Sequence, residues 1–174
     1  GEVDSEEGVS LFILDASEQG VSIIRTWMVD SRNAANMSFD NVQVPKNAML
    51  GEIGAGFAGL DEVLDVARIG VAAEMLGSMQ EVFDRTLDYM KQREQFGVLI
   101  GSFQGLQHRM ADMFMAVEQT RSLLLAATLK TLEGHQDASR AVHALKARLS
   151  IAGRRVAQEA VQIHGGMGMT DELA

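Results

Sequence analysis

Apolar and polar positions along the sequence follow two different periods, one before and one after about residue 54. In the first part, short apolar runs are separated by polar turns, and residues 35–40 alternate with the period of a β-strand. We predict strands at 9–15, 20–25, 35–40 and 42–45. Because about fifty residues bury too little surface to offset chain entropy, we expect further strands to complete this β-domain.

From Gly54 onward the apolar positions recur with a helical period. We predict helices over about 57–92, 103–132 and 137–164, the last with Asp137 as its N-cap. The apolar stripes of these helices are Leu60, Val63, Leu64, Ala67, Val71, Met75 and Val82 in the first, Leu106, Met110, Met113, Val117, Leu124 and Leu125 in the second, and Leu145, Leu149, Ala152, Val156, Ala160 and Ile163 in the third. Helices of about 30 residues with short connections pack antiparallel as a bundle.

The predicted fold class is therefore mainly α, an antiparallel bundle of long helices preceded by a partial β-domain. We assign residues 1–50 to the C-terminal part of the β-domain and residues 51–174 to the helical bundle. Residues 170–174 look like the start of a fourth helix, so we expect the bundle to lack its last helix.

Composition narrows the classes of function. The chain is 47% hydrophobic and 22% charged, as in soluble globular proteins, and no apolar run approaches the roughly 20 residues of a membrane span. The net charge of −9 disfavours nucleic acid, because a phosphate backbone attracts basic surfaces. Cysteine is absent and the histidines lack ligand spacing, so we expect no metal site. The acidic N-terminus does not resemble a signal peptide, and we expect a cytoplasmic protein.

Two segments could carry chemistry at the ends of helices. Arg93, at the end of the first helix, could complement the helix dipole with Gly97 as a cap, or its forked guanidinium could bind a phosphate. Gly165 and Gly166 follow the third helix, where they could form a left-handed cap or let a nucleotide approach the backbone closely. Both interpretations remain open for each segment, and His164 alone is more typical of a packed residue.

Two further features lie on the helices themselves. Gln104 lies at the start of the second helix, where its side chain could be solvated or could contact a ligand. Asp65 and Arg68 are three positions apart on the first helix, a spacing typical of a surface ion pair. No Glu-x-x-His motif occurs, so a carboxylate-bridged metal bundle is unsupported.

Taken in order, these segments resemble the acyl-CoA dehydrogenase family. The resemblance covers nearly the whole chain and rests on Phe39-Asp40-Asn41-Val42-Gln43-Val44-Pro45, Gly54-Ala55-Gly56-Phe57, Arg93-Glu94-Gln95-Phe96-Gly97, Phe103-Gln104 with Gln107, Ala111-Asp112-Met113, and Gln162-Ile163-His164-Gly165-Gly166-Met167-Gly168. It implies the end of that family's middle β-domain followed by its C-terminal helical domain. It also implies α,β-dehydrogenation of an acyl-CoA thioester with FAD as the cofactor.

The resemblance implies roles for matching positions. Residues implied to bind the cofactor are Arg93, Phe96, Gln104, Gln162, Ile163, His164, Gly165 and Gly166. They would complete the FAD site of a neighbouring subunit in a dimer or tetramer. Asp65 and Arg68 would contact the acyl-CoA substrate. An electron-transfer flavoprotein would accept the electrons.

The catalytic base is unknown at this stage. In relatives it is a glutamate, placed either beyond the double-glycine loop, which is past Ala174 here, or on the first long helix at the position of Ala67. Alanine cannot accept a proton, and Glu74, two turns further along, is a weak substitute. We therefore expect the fragment alone to be inactive. Two alternatives remain: a non-catalytic partner subunit of a heteromeric dehydrogenase, and a flavin oxidase or monooxygenase on the same fold.

Overall fold

The computed structural model describes residues 6–170, which form two compact units that divide between Glu62 and Val63. The strands are β1 (Leu11–Phe12), β2 (Val21–Trp27), β3 (Asn33–Phe39), β4 (Met49–Leu50), β5 (Glu94–Gln95) and β6 (Val98–Leu99). The long helices are α1 (Gly56–Gln92), α2 (Gln104–Leu132) and α3 (Ala138–His164). Long helices dominate, which confirms the predicted fold class.

The first unit contains two antiparallel strand pairs. β2 and β3 form a hairpin in which Val21 lies opposite Phe39 and Trp27 opposite Asn33, and β1 pairs with β4. The predicted strand at 42–45 is wrong. Asn41 has a left-handed φ of 50°, which interrupts the extended run, and Pro45 has no N–H for a ladder and leads into a short 3-10 helix.

Many apolar side chains of this first unit are exposed, in agreement with its small size. Trp27 is 82% exposed, with the guanidinium of Arg25 4.4 Å above its ring, and Ile24 is 70% exposed. A unit with so little buried apolar surface has a weak core of its own. The assignment of residues 1–50 to a larger β-domain remains a prediction.

The second unit is built from the three long helices. α2 runs antiparallel to α3, because Arg109 pairs with Glu159 while Gln119, further along α2, accepts a hydrogen bond from Arg148, which is earlier in α3. α1 and α3 run in the same direction, since Gly153 lies near Met75 and His164 near Tyr89. The core consists of Ala72, Leu76, Met79, Phe83, Met90, Ile100, Met110, Met113, Ala116, Val117, Ala127, Val142, Leu145, Leu149, Ala152, Val156, Ala160 and Ile163.

The predicted stripes agree with this core to different degrees. All six positions predicted for α3 are buried, and on α2 only Leu125 is wrong, at 60% exposure. The stripe predicted for α1 is mostly wrong: Val63 is 64% exposed and Val71 55%, although Val82 packs against the core. The face that packs contains Leu76 and Met79 instead, because apolar residues surround α1 and only its neighbours decide which of them become buried.

The helix ends follow the predicted signals. α2 stops at Leu132, just before Gly134, whose φ is +61°, and α3 stops before Gly165, whose φ is +62°. Glycine adopts such positive φ values without strain. Asp137 is the N-cap of α3, although its side chain makes no capping hydrogen bond. Of the predicted fourth helix, residues 171–174 lie outside the described residues, so it stays a prediction.

Candidate functional site

The segment after α1 is a tight β-hairpin rather than a helix cap. β5 and β6 are joined by Phe96 and Gly97, with φ of 57° and 78°, the positive pair that a type I′ turn requires. A left-handed φ is uncommon for phenylalanine, and this ring is 93% exposed. The turn therefore holds an aromatic side chain out from the tip of the hairpin.

Arg93 is fixed at the base of this hairpin. Its backbone N–H donates to the carbonyl of Tyr89 at 2.9 Å, and its carbonyl accepts from the N–H of Ile100 at 2.8 Å. The hairpin thus returns to the end of α1 and leads through a 3-10 turn at Ile100–Ser102 into α2. The alternative in which Gly97 caps α1 is wrong, because α1 already ends at Gln92.

The end of α3 folds back on itself through a glycine-rich 3-10 helix, Gly165–Met169. A Cβ on Gly168 would lie 2.6 Å from the carbonyl oxygen of Val161, closer than real Cβ atoms come. His164, the last residue of α3, is 6% exposed, and its Nδ1 is 2.8 Å from the carbonyl oxygen of Ala160. Its ring stacks on that of Tyr89 with centroids 4.4 Å apart.

These two segments meet at one cavity of ≈350 Å³. Its lining consists of Tyr89, Arg93, Gln95, Phe96, Ile100, Phe103, Leu106, Gln162, Ile163, His164, Gly165 and Gly166. Seven of the eight residues predicted to bind a cofactor are in this set. The exception is Gln104, which is exposed at the start of α2 and does not line the cavity.

Five of the lining residues were not predicted from the sequence, although for two of them the sequence contains a signal. Tyr89 lies one turn before Arg93 on α1, and Phe103 directly precedes Gln104 in a segment already singled out. Both are aromatic, so the cavity has three aromatic rings with Phe96, and the rings of Phe96 and Phe103 are 6.4 Å apart in an edge-to-face arrangement. Ile100 and Leu106 had no signal beyond being apolar.

The chemistry of the cavity suits an anion with a flat, apolar part. Arg93 is the one permanently charged lining residue, and its guanidinium can bind a phosphate through two parallel hydrogen bonds. α2 begins beside it with neither a side-chain cap nor an acidic residue in its first turn, so backbone donors remain available there. The glycines at 165 and 166 have no side chain, so a ligand can approach the backbone closely.

The predicted substrate residues lie elsewhere on α1. Nη1 of Arg68 is 2.5 Å from Oδ1 of Asp65, and Asp65 is 8% exposed. Arg68 lines a second cavity of ≈320 Å³ together with Ala67 and Leu64. From Arg68 to Arg93 the helix rises by about 37 Å. Within one chain, the two predicted sites are therefore far apart.

Two other classes of site are absent from the described residues, 6–170. No group of three or more His, Cys, Asp or Glu side chains there could hold a metal ion. No helix of this part of the chain has the length and apolar character to cross a membrane.

Comparison with known proteins assigns the family. Residues 54–174 match the family model described as the C-terminal domain of acyl-CoA dehydrogenases. The chain belongs to the acyl-CoA dehydrogenase family. The resemblance deduced from the motifs is thereby confirmed, and the matched range covers all three long helices and both segments that line the cavity of Arg93.

Individual relatives support this family assignment. The chain is 32% identical over 168 residues to the caffeyl-CoA reductase–Etf complex subunit CarC of Acetobacterium woodii, covering 95% of this chain and 44% of the relative. Butyryl-CoA dehydrogenase of Megasphaera elsdenii superimposes with a TM-score of 0.89 at 34% identity, over 99% of this chain and 45% of that one. The structure of PigA with FAD and proline gives a TM-score of 0.89 at 28% identity, over 97% and 44%. The chain thus spans less than half the length of these similar proteins.

Proposed function

We propose that this chain is part of a FAD-dependent acyl-CoA dehydrogenase that introduces an α,β double bond into an acyl-CoA thioester. The observation that carries the proposal is the cavity of Arg93, which gathers seven residues predicted to bind a cofactor from two segments about seventy positions apart. When bound, FAD would accept the hydride from the β-carbon of the substrate. The similar structure of PigA contains FAD, which supports FAD as the cofactor.

Each part of the cavity has a role in this proposal. Arg93 would neutralise a phosphate of FAD, and Phe96 would offer its exposed ring to a flat group of the cofactor. Gln162 would donate or accept hydrogen bonds at the rim, and the backbone at Gly165 would lie against the nucleotide. Gln104, which does not line the cavity, would reach the cofactor from the start of α2.

The subunit would complete a neighbour's site in a dimer or tetramer. Arg93 and Arg68 are separated by about 37 Å along α1, so one chain would offer its cofactor residues and its substrate residues to different places. Exposed apolar side chains on α2, such as Phe114 at 52% and Leu125 at 60%, suit burial in an oligomer. Asp65 would hold Arg68 in position toward the acyl-CoA.

The remaining partners follow from the family. An electron-transfer flavoprotein would accept the electrons, which the similarity to CarC, a subunit of a caffeyl-CoA reductase–Etf complex, supports. The middle β-domain, whose end is assigned to residues 1–50, would complete the flavin site. We propose a cytoplasmic location for the protein.

The catalytic base lies outside the described residues in this proposal. Ala67 occupies the position on α1 that would project a base toward the substrate, and its methyl group has no proton acceptor. A specific alternative follows from the same residue: the chain would be a non-catalytic subunit that supports an active partner. A second alternative is a flavin oxidase or monooxygenase on the same fold.

The test is the visible absorption spectrum of the complete protein, recorded anaerobically before and after addition of acyl-CoAs of increasing length. Bleaching of a flavin band by one acyl-CoA supports the dehydrogenase. A flavin band that bleaches only after a partner subunit is added supports the non-catalytic alternative, and oxygen consumption during turnover supports the oxidase. The absence of a flavin band refutes the proposal.

A further inference from the structure

Tyr89 lines the cavity of Arg93, but the proposed function gives it no task. It lies near the end of α1, and its backbone carbonyl accepts a hydrogen bond from the N–H of Arg93 at 2.9 Å. Its ring reaches α3 and stacks on the imidazole of His164, with the ring centroids 4.4 Å apart. Tyr89 therefore joins the hairpin side of the cavity to the double-glycine segment, Gly165 and Gly166.

The imidazole of His164 is held by two contacts. Its Nδ1 is 2.8 Å from the carbonyl oxygen of Ala160, and because a carbonyl oxygen can only accept, Nδ1 is the donor. The ring of Tyr89 packs against the imidazole with the two planes inclined by 31°. With these contacts in place His164 is 6% exposed, so the orientation of its side chain depends on both neighbours.

The peptide group between His164 and Gly165 is held at both of its polar atoms. Its carbonyl oxygen accepts from the hydroxyl of Tyr89 at 3.4 Å, and its N–H donates to the carbonyls of Val161 and Gln162. The φ of Gly165 is +62°, so the chain leaves the helix directly after this peptide. The orientation of the peptide therefore decides where the backbone of the double-glycine segment lies along the cavity.

The two contacts that Tyr89 makes with His164 differ in strength. A hydrogen bond from a hydroxyl group is typically about 2.7–2.8 Å long, so the one at 3.4 Å is weak. An aromatic pair changes an equilibrium by about two- to tenfold beyond the effect of its buried area. Within residues 6–170, no other pair of rings joins α1 to α3. The ring of Tyr89, more than its hydroxyl, therefore links the two helices here.

We propose that Tyr89 is a positioning residue that holds the double-glycine segment in place for FAD and acts through the ring of His164. The inference rests on the proposed function, because it names the residue that joins two walls of the same site. A cofactor that contacts Arg93 and the glycine backbone together needs both walls in register. Loss of the ring contact lowers the fraction of apo molecules in which the segment is in place, and the apparent affinity falls by the same factor.

The first experiment measures FAD binding to the apo form of the complete protein. Tyr89→Leu removes the ring and should weaken binding by about two- to tenfold. Tyr89→Phe keeps the ring and should restore the affinity to within about twofold of wild type, since the lost hydrogen bond is weak. An affinity of Tyr89→Leu within about twofold of wild type overturns the inference.

The matched control is Phe83→Leu. Phe83 also lies on α1, but its ring pairs with that of Phe114 on α2 at 6.0 Å, and it does not line the cavity of Arg93. Phe83→Leu should lower the midpoint of urea denaturation and leave the affinity for FAD unchanged. An equal loss of affinity in Phe83→Leu and Tyr89→Leu would show that any weakening of the bundle is enough, and would overturn a positioning role.

A double-mutant cycle separates a direct contact of Tyr89 with FAD from an effect through His164. The variant His164→Leu already lacks the ring contact, so adding Tyr89→Leu to it should change the affinity by less than about twofold. The same loss of affinity in both backgrounds would indicate a direct contact with FAD and would overturn the positioning role.

Amide hydrogen exchange of the apo protein provides a readout that needs no FAD. The N–H of Gly165 is hydrogen-bonded at the end of α3, and in Tyr89→Leu it should exchange about two- to tenfold faster than in wild type. The amide of Ala152, in the core of α3, is the internal reference for overall stability. An unchanged exchange rate at Gly165, or an equal change at the two amides, overturns the inference and leaves the FAD site in place. Failure of the wild-type protein to bind FAD overturns the proposed function as well.

Discussion

Gly101 provides a sharp test of how the cavity wall is built. It lies in the 3-10 turn between the hairpin and α2, and a Cβ added there would be 2.8 Å from the carbonyl oxygen of Met90. Real Cβ atoms essentially never come this close to a backbone atom, so either the turn or the end of α1 must move. Gly105, four residues later, has nothing within 4 Å of its added Cβ. The two Gly→Ala substitutions therefore form a matched pair.

The two substitutions are expected to change the free energy of unfolding in opposite directions. Overpacking lowers the free energy of unfolding by about 1–3 kcal/mol, whereas the reduced entropy of the unfolded chain raises it by about 0.4–1 kcal/mol. Gly101→Ala should therefore destabilise the protein by about 1 kcal/mol. Gly105→Ala adds a good helix former inside α2 and should stabilise it by about 0.5–1 kcal/mol. The difference between the variants is about 2 kcal/mol, or about 4–8 °C in Tm for a protein of this size.

The assay is urea denaturation of both variants followed by circular dichroism, with FAD affinity measured in parallel. Movement of the turn shifts Ile100 and Phe103, which line the cavity, so Gly101→Ala should also bind FAD less tightly than Gly105→Ala. Equal midpoints for the two variants, or a more stable Gly101→Ala, would refute the packing of this turn against α1.

Three further predictions follow from single side chains. Leu145 is 1% exposed, and Leu145→Ala should lower the free energy of unfolding by about 2–5 kcal/mol in chemical denaturation. Leu132 is 78% exposed, and Leu132→Ala should change it by less than about 0.5 kcal/mol. Similar losses for the two variants would contradict the assignment of the core. Arg93→Lys should weaken FAD binding about tenfold, because lysine lacks the guanidinium fork. Arg140→Lys, in an exposed ion pair of α3, should leave FAD binding unchanged. Calorimetry measures both affinities, and equal affinities for Arg93→Lys and wild type would count against a phosphate contact. Hydrogen bonds from the Ser17 hydroxyl and, to a smaller extent, from its N–H lower the pKa of Asp15. Their contribution to folding stability is therefore present above the pKa of Asp15 in the unfolded chain and is lost as the pH falls through its pKa in the folded protein. Ser17→Ala should raise the pKa of Asp15 in an NMR titration, and an unchanged value would refute the contact.

The sequence by itself determined the helices. The three predicted ranges agree with α1, α2 and α3 to within one residue at each end. The helical period runs without a proline in all three, and α2 and α3 end at glycines with positive φ. The core face of α3 was also determined, since most of its large apolar residues form one stripe, with Ile151 and Val161 as exposed exceptions. The family motifs likewise identified seven residues that share one cavity.

The tertiary structure determined features that the period of apolar positions along the chain does not specify. α1 is apolar on more than one side, so its packing against α2 and α3 selected Leu76 and Met79 over Val63 and Val71 for burial. The hairpin after Arg93 has strands of two residues, too short to show any period, and its turn depends on a phenylalanine in a conformation that local preference disfavours. Tyr89 became part of the cavity only because α1 and α3 run side by side and bring it onto His164. Local energies fix helices one at a time, whereas the choice of buried face and the meeting of distant segments depend on contacts that exist only after the helices have packed.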